Sequence, residues 1–131
     1  MNKELDKFIE KHSQNQEKKV GFVEYLYKLM DKYKIDNAAD IYNKANISRQ
    51  LWSAIISKKS HPSLNVCIKI VFAMKLNNHE CKYLLKKAGY TLASSSKYAL
   101  IIRFAIENQI YDIDEVNELL TEYGYSDQLI Y

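Results

Sequence analysis

Glycine and proline, the residues that most often interrupt regular structure, number only three and one in this 131-residue chain. A β-sandwich or barrel needs a turn signal roughly every 8–12 residues, and this sequence cannot supply them. Apolar residues recur instead at spacings of three and four, as in Phe22, Leu26, Leu29 and Met30, which is typical of one face of an α-helix. Because hydrophobic residues make up 47% of the chain, we predict an all-α protein with one core.

The apolar pattern divides the chain into three parts. Residues 3–12 have helical spacing and precede a wholly polar stretch from His12 to Lys19, so we predict a short N-terminal helical arm and linker over residues 1–20. Five helices are predicted over residues 21–90. Two more form an extension over residues 91–131 that we expect to pack on the same core. The first of these two, from Lys97 to about Asn108, is apolar nearly all round, which predicts that it is covered on more than one side.

Membrane spans, secretion signals and metal frameworks are not indicated by the sequence. No apolar run approaches the ~20 residues of a membrane span, and the charged first 20 residues do not resemble a secretory signal. We therefore expect a cytoplasmic protein that does not associate with membranes. Cys67 and Cys81 lie in apolar segments without C-x-x-C spacing, so we expect buried thiols. His79 lies near Cys81, but no second ligand pair has a usable spacing, and we predict neither a metal nor a cofactor.

The net charge of +3 conceals a strong asymmetry along the chain. Residues 1–40 hold eight lysines and eight acids, whereas residues 41–103 hold eleven Lys or Arg against the single acid Glu80. Residues 104–131 hold seven acids and no Lys or Arg. A basic segment of this kind favours a polyanionic partner, because neutralising phosphates releases counterions. A solvated basic surface with no partner is the plainer interpretation of the same charges.

Two short helices joined by a tight turn lie within this basic segment. Asn37 is a suitable N-cap for the first, with Asp40 three residues later, and Ser48 caps the second, which runs from Arg49 to about Lys58. The sequence IYNKANISRQLWSAI at residues 41–55, followed by Lys59, Pro62-Ser63-Leu64 and Lys69-Ile70, resembles the lambda-repressor and Cro-like helix-turn-helix family across about residues 22–88. The resemblance implies a five-helix DNA-binding domain, here with two added C-terminal helices and the short N-terminal helical arm.

The same resemblance implies that the helix beginning at Ser48 enters the major groove of double-stranded DNA. Arg49 would pair with guanine and Gln50 with adenine, the bidentate pairings that these side chains allow. Phosphates would be held by Asn37, Ser48, Ser53, Ser57, Lys58 and Lys59. We therefore predict a sequence-specific transcriptional regulator, most simply a repressor, that binds DNA as a homodimer through its C-terminal helices. The plainer interpretation makes these residues an exposed helix face and a solvated loop.

Three positions depart from the family pattern. Ala38 stands where the family often has a glutamine that holds a phosphate, and Ala54 and Ile56 stand where it often has polar or basic residues. Leu51 can contact a thymine methyl, but Leu51 and Ile56 can also form a patch that binds a protein. This patch and the acidic residues of 107–127 keep an alternative open: a protein-binding adaptor, an antitoxin or a phage inhibitor built on the same scaffold.

An enzymatic function finds little support in the sequence. There is no glycine-rich phosphate loop, and no carboxylate pair is framed by apolar residues that would shift its pKa. His12, His61 and His79 have no evident catalytic partner along the sequence. A nuclease that uses His61 and the lysines is the only enzymatic alternative, and we predict no catalytic residues.

Overall fold

The computed structural model describes residues 2–17 and 20–131, and all regular structure in these residues is α-helical. The helices are α1 (Lys3–Glu17), α2 (Phe22–Lys32), α3 (Ala39–Tyr42), α4 (Arg49–Ile56), α5 (Leu64–Ala73), α6 (Asn78–Lys87), α7 (Lys97–Glu107) and α8 (Ile113–Glu122). The prediction of an all-α fold is confirmed. None of the helices described is long and apolar enough to cross a membrane.

Side-chain caps begin most of the helices, and the cap that the sequence predicts at Ser48 is confirmed. The Ser48 hydroxyl accepts a hydrogen bond from the Leu51 amide at 3.0 Å, and Ser63 and Ser96 cap α5 and α7 in the same way. Asn77 forms a reciprocal capping box with Glu80 at the start of α6. These caps satisfy backbone N–H groups that a helix leaves without internal partners.

Asn37 is one residue too early to be the N-cap of α3. The cap residue is Ala38, in a helical conformation and without a side-chain cap. The Asn37 carboxamide oxygen instead accepts from the Ala39 amide at 3.0 Å. It therefore supports the turn that leads into α3, because an Asn side chain can satisfy an amide two residues ahead.

Most helices end in a residue with left-handed backbone conformation, although only two of these residues are glycine. Positive φ values occur at Lys34, Asn46, Lys58, Lys75, Gly89, Gln109 and Gly124. In each case the next amide donates to a carbonyl five residues back, as from Ile35 to Met30 at 2.8 Å, which is the Schellman arrangement. The residue after the left-handed one is Ile, Leu or Tyr everywhere except after α4, where it is Lys59.

The core is centred on α5, in which every residue from Val66 to Phe72 is buried. The buried side chains of α2, α4 and α6 belong to the same cluster, and so do Ile102 of α7, Leu120 of α8 and Ile130 near the C-terminus. Cys67 and Cys81 are buried free thiols, as predicted. Burial raises the pKa of each thiol to about 12, because a thiolate loses its hydration in an apolar environment.

One sequence prediction about helix extent is wrong. The polar stretch from His12 was interpreted as a linker, but α1 continues to Glu17; Lys18 and Lys19 lie outside the described residues. Polarity indicates that a segment has no buried face, and without proline or glycine it does not end a helix. Helix α7 contacts both α6 and α8, in keeping with its apolar sequence, whereas Leu100 and Phe104 are 48% and 51% exposed, so one face of the helix is uncovered.

Glu80 joins α2 to α6 from a buried position. It is 3% exposed, and its carboxylate accepts from the Lys32 ammonium at 2.7 Å and from the Tyr33 hydroxyl at 2.6 Å. It also accepts from the Asn77 amide at 3.1 Å. Burial by itself would raise the pKa of Glu80, but these three hydrogen bonds outweigh it and leave the pKa below its ordinary value.

Candidate nucleic-acid interface

The segment from α3 to α4 is held by backbone hydrogen bonds and by a buried lysine. Asn46 adopts φ 54° in the connection between the two helices, and the Ile47 amide donates to the Tyr42 carbonyl at 2.8 Å. Below the turn, the ammonium of Lys69 donates to the Asn46 carbonyl at 3.1 Å. Lys69 is only 8% exposed, and burial lowers its pKa. The turn is therefore tied directly to the central helix α5.

Helix α4 has one buried face and one polar face. Trp52 and Ile55 are buried, and the Trp52 ring packs against Tyr42 of α3 with ring centroids 5.9 Å apart. The opposite face exposes four of the predicted site residues, which are Arg49, Gln50, Ser53 and Ser57. Arg49, Ser53 and Ser57 are four residues apart, so they form a row along the helix, with Gln50 beside it. This row is the surface that a helix would present to base edges.

Each of the remaining predicted site residues is also exposed. These residues are Asn37, Ser48, Lys58 and Lys59. Ser48 and Lys58 stand at the two ends of α4, where the first caps the helix and the second adopts φ 62°. Asn37 precedes α3 and supports its first turn. The structure thus places all eight predicted residues on the surface, and all except Asn37 lie on α4 or next to its ends.

An acidic residue of α2 contacts this surface. The Lys58 ammonium forms an ion pair with the Glu24 carboxylate, and the hydrogen bond from Lys58 is the main cause of a lowered pKa at Glu24. Glu24 lies in the first turn of α2, close to Gly21, where a Cβ would meet its Oε2 atom at 2.5 Å. No signal in the sequence indicates that Glu24 belongs to this surface. Glu24 and Lys58 are 34 residues apart in the chain, and only the packing of the helices brings them together.

The two apolar residues of α4 that could form a protein-binding patch, Leu51 and Ile56, do not lie on one face. Leu51 is 36% exposed, whereas Ile56 is half-buried and packs against the core. Five residues of helix separate them, which places their side chains about 140° apart around the axis. Ala54 is half-buried as well. The structure therefore removes one of the two reasons for the protein-binding alternative.

Not all of the basic segment faces outward. Lys69, one of its eleven basic residues, is directed into the protein and holds the turn. Arg103 pairs with Glu107 on α7 at 3.0 Å. Lys44, Arg49, Lys59 and the lysines of α6 are exposed or half-buried and have no ion pair among the described residues. The basic surface that remains includes both ends of α4.

Among the described side chains, His61 and His79 do not form a metal-binding group with the cysteines. His79 is exposed and stacks on Tyr83, with ring centroids 5.9 Å apart, whereas Cys81 points into the core. The His61 imidazole Nε2 lies 2.8 Å from the Ala88 carbonyl oxygen. His61 is therefore engaged with the end of α6, and its partner is a backbone carbonyl rather than a carboxylate that could orient it for catalysis.

A surface cleft of about 840 Å³ lies beside the turn between α3 and α4. It is lined by the turn after α3, the end of α5, the start of α8 and the C-terminal residues Ile130 and Tyr131. Its walls carry Lys44 and Lys75 together with acidic residues of α8. None of the eight predicted site residues lines this cleft.

Comparison of the chain with protein-family models, with curated proteins and with solved structures finds no match.

Proposed function

We propose that this protein is a sequence-specific double-stranded DNA-binding transcriptional regulator, with α4 as its recognition helix. The observation that carries the proposal is the exposed polar row of Arg49, Gln50, Ser53 and Ser57 on a short helix that is capped and held by α3 and α5. A single α-helix fits the major groove of B-DNA, and its N-terminal residues then reach base edges.

The row divides into residues that would read bases and residues that would hold phosphates. Arg49 offers the planar fork of donors that fits guanine, and Gln50 offers the donor and acceptor pair that fits adenine. The hydroxyl of Ser48 uses its oxygen to cap α4, which leaves its proton for a phosphate oxygen. Lys58 and Lys59, just after the helix, add contacts that depend on charge and not on sequence.

The experiment that tests base reading compares Arg49 with an exposed basic residue outside both proposed interfaces. A random DNA pool is selected with wild-type protein at about 150 mM salt, a concentration at which weak nonspecific binding is suppressed. We expect Arg49→Ala to lose preference at one base position, at a cost of about 1–3 kcal/mol. Lys34→Gln, at an exposed position just after α2, is the control and should keep the selected sequence. Equal loss of affinity for every sequence with Arg49→Ala would contradict the proposal.

Phosphate contacts are tested by changing Lys58 and Lys59. We expect Lys58→Ala and Lys59→Ala to weaken binding to all sequences alike and to reduce the dependence of affinity on salt, because each contact displaces counterions. Lys59→Ala should have the larger effect, since Lys58 is already paired with Glu24. A loss of sequence preference without a change in salt dependence would contradict this role.

The dimer is proposed through the uncovered face of α7. Leu100 and Phe104 lie one helical turn apart and are about half exposed, and an apolar pair of this kind is a common centre for an interface. Light scattering should give about twice the 15.4 kDa mass of the chain. Leu100→Ser with Phe104→Ser should return the protein to a monomer. A wild-type protein that stays monomeric at concentrations where it binds an inverted repeat would refute the interface.

The second candidate function is binding of a protein partner, as an adaptor or an antitoxin. The exposed acidic residues of α8 favour it, since Asp114, Glu115, Glu118 and Glu122 all face solvent. A stoichiometric protein partner whose binding is abolished by changes on α8, together with no DNA selection by wild-type protein, would favour this function over DNA binding.

A further inference from the structure

The outer face of α6 carries a second group of basic residues. Lys82 and Lys86 are exposed and Lys87 is half-buried, whereas Glu80, the acid of this helix, is buried beneath Lys32 and Tyr33. The exposed side of α6 is therefore basic and carries no acidic side chain of its own. None of these lysines belongs to the helix-turn-helix pattern.

Two hydrogen bonds place the C-terminal end of α6 beside the loop that follows α4. The His61 Nε2 lies 2.8 Å from the Ala88 carbonyl oxygen, and the Tyr90 hydroxyl donates to the Pro62 carbonyl at 2.9 Å. Ala88 directly follows Lys86 and Lys87 in the chain, and His61 follows Lys59 by two residues. The C-terminal end of α6, which carries Lys86 and Lys87, therefore adjoins the loop that follows Lys58 and Lys59.

Aromatic contacts hold this region in place on the other side. The Lys87 ammonium lies 5.0 Å from the centroid of the Tyr83 ring, and the Tyr83 ring packs against Tyr25 of α2 with centroids 5.2 Å apart. Tyr25 adjoins Glu24, whose carboxylate holds Lys58. A cation over an aromatic ring is restrained without being neutralised, so Lys87 keeps its charge for a ligand.

We propose that Lys86 and Lys87 extend the DNA interface by binding backbone phosphates next to the segment that α4 reads. The ligand is a double-stranded nucleic acid, recognised here by its charge and not by its sequence. This inference rests on the proposed function. The inference adds a contact surface on α6 to the proposed DNA interface. The contacts of Ala88, Pro62 and Tyr83 indicate this surface, and the helix-turn-helix motif does not.

The same two lysines also have a purely local explanation. Cations in the last turn of a helix interact favourably with the carbonyl end of its dipole, and Lys86 and Lys87 lie in the last turn of α6. In that case their removal would lower the thermal midpoint of the protein and leave the salt dependence of DNA binding unchanged. A salt titration therefore separates the two explanations.

The experiment measures binding to a random-sequence duplex of about 30 base pairs by fluorescence anisotropy over a series of salt concentrations. Lys86→Gln with Lys87→Gln should reduce the slope of log affinity against log salt by about 1.8, at about 0.9 for each lost phosphate contact. Affinity near 150 mM salt should fall roughly tenfold or more. Lys86→Gln alone keeps the Lys87 contact with Tyr83, and should reduce the slope by about 0.9.

The matched control removes two lysines from the far ends of other helices. Lys34 follows α2 at the end opposite Glu24, and Lys75 follows α5 at the end opposite Ser63. Each of these helices has ten or eleven residues, so the control positions are about 15 Å from the ends that adjoin the loop after α4. Lys34→Gln with Lys75→Gln changes the net charge equally and should leave the slope near its wild-type value.

The possible outcomes distinguish a failure of the α6 phosphate contacts from a failure of the proposed DNA binding. A reduced slope in both α6 variants but not in the control supports the inference. A slope in the α6 variants equal to that of the control, while Lys58→Ala and Lys59→Ala still weaken binding, overturns the inference and leaves the proposed function standing. No binding of the wild-type protein to any duplex overturns both.

Discussion

Glu80 provides a direct test of how the α2–α6 contact stabilises this protein. Replacing it with alanine removes the acceptor for the Tyr33 hydroxyl and for the Asn77 amide. A hydrogen bond to a charged group contributes about 1.5–3 kcal/mol, so we expect Glu80→Ala to lower the free energy of unfolding by about 3 kcal/mol. Loss of the ion pair with Lys32 contributes nothing further to this value, because the Lys32 side chain is 58% exposed and its ammonium is hydrated once Glu80 is removed.

Glu80→Gln separates the charge of this side chain from its shape. The amide keeps the capping box with Asn77 but weakens the bond from Tyr33 and loses the ion pair, so we expect a cost of about 1–2 kcal/mol. Urea denaturation at pH 7, followed by circular dichroism, measures both values. Glu24→Gln is the control, because its exposed pair with Lys58 should be worth less than about 0.5 kcal/mol.

The pH dependence of the same variants tests whether the negative charge of Glu80 is the cause of the stabilisation. The folded protein lowers the pKa of Glu80, so its contribution is present above the ordinary carboxyl pKa of about 4.3 and is lost as the pH falls through the lower folded-state value. The gap between wild type and Glu80→Gln should therefore narrow below about pH 4. Two results would refute the role of the Glu80 charge. One is that Glu80→Gln lowers the free energy of unfolding no more than Glu24→Gln at pH 7, and the other is that the difference between wild type and Glu80→Gln does not change with pH.

Three further predictions follow from the backbone, the thiols and the edge of the interface. Gln109→Gly should raise the free energy of unfolding by about 0.5–1 kcal/mol, because φ is 56° at this position. Gly89→Ala should lower the free energy of unfolding by about 1 kcal/mol through backbone strain alone, since a Cβ at Gly89 meets nothing within 4 Å. Thermal melts compare the two variants, and a change of the same sign in both would contradict the role given to positive φ. The two buried cysteines have pKa values of about 12 and should react with iodoacetamide only after unfolding, so rapid labelling of native protein, read by mass spectrometry, would contradict their placement. Under the proposed function, Glu24→Gln should strengthen binding to all DNA sequences by freeing Lys58 from its ion pair, and unchanged anisotropy titrations would show that the pair does not compete with phosphate.

The helices were predictable because their signals are local. The caps at Ser48, Ser63 and Asn77 each stand next to the amide that they satisfy, and apolar spacing marks the buried face of each helix. Trp52 and Ile55 follow this rule, because they lie three residues apart on one face of α4 and are both buried. The exposure of all eight predicted site residues followed from the same pattern, since polar residues opposite a buried face must point to solvent.

The errors arise where no local signal exists. The polar stretch from His12 does not distinguish a linker from an exposed helix, because both lack a buried face. The apolar sequence of α7 does not show that Leu100 and Phe104 face outward, because coverage depends on which helices pack beside it. The extent of a polar helix and the coverage of an apolar one both depend on more than the local apolar pattern.

The sequence alone determined the helical class of this protein, the cap of α4 at Ser48 and the residues that this short helix exposes, because these depend on neighbours within a turn or two. The tertiary structure decided which charges remain available on the surface. It buried Lys69 beneath the turn and Glu80 between α2 and α6, paired Lys58 with Glu24, and brought the end of α6 beside the loop after α4. These pairings join residues 23 to 48 positions apart, and a charge so distant in the chain leaves no periodic or capping signal in the sequence.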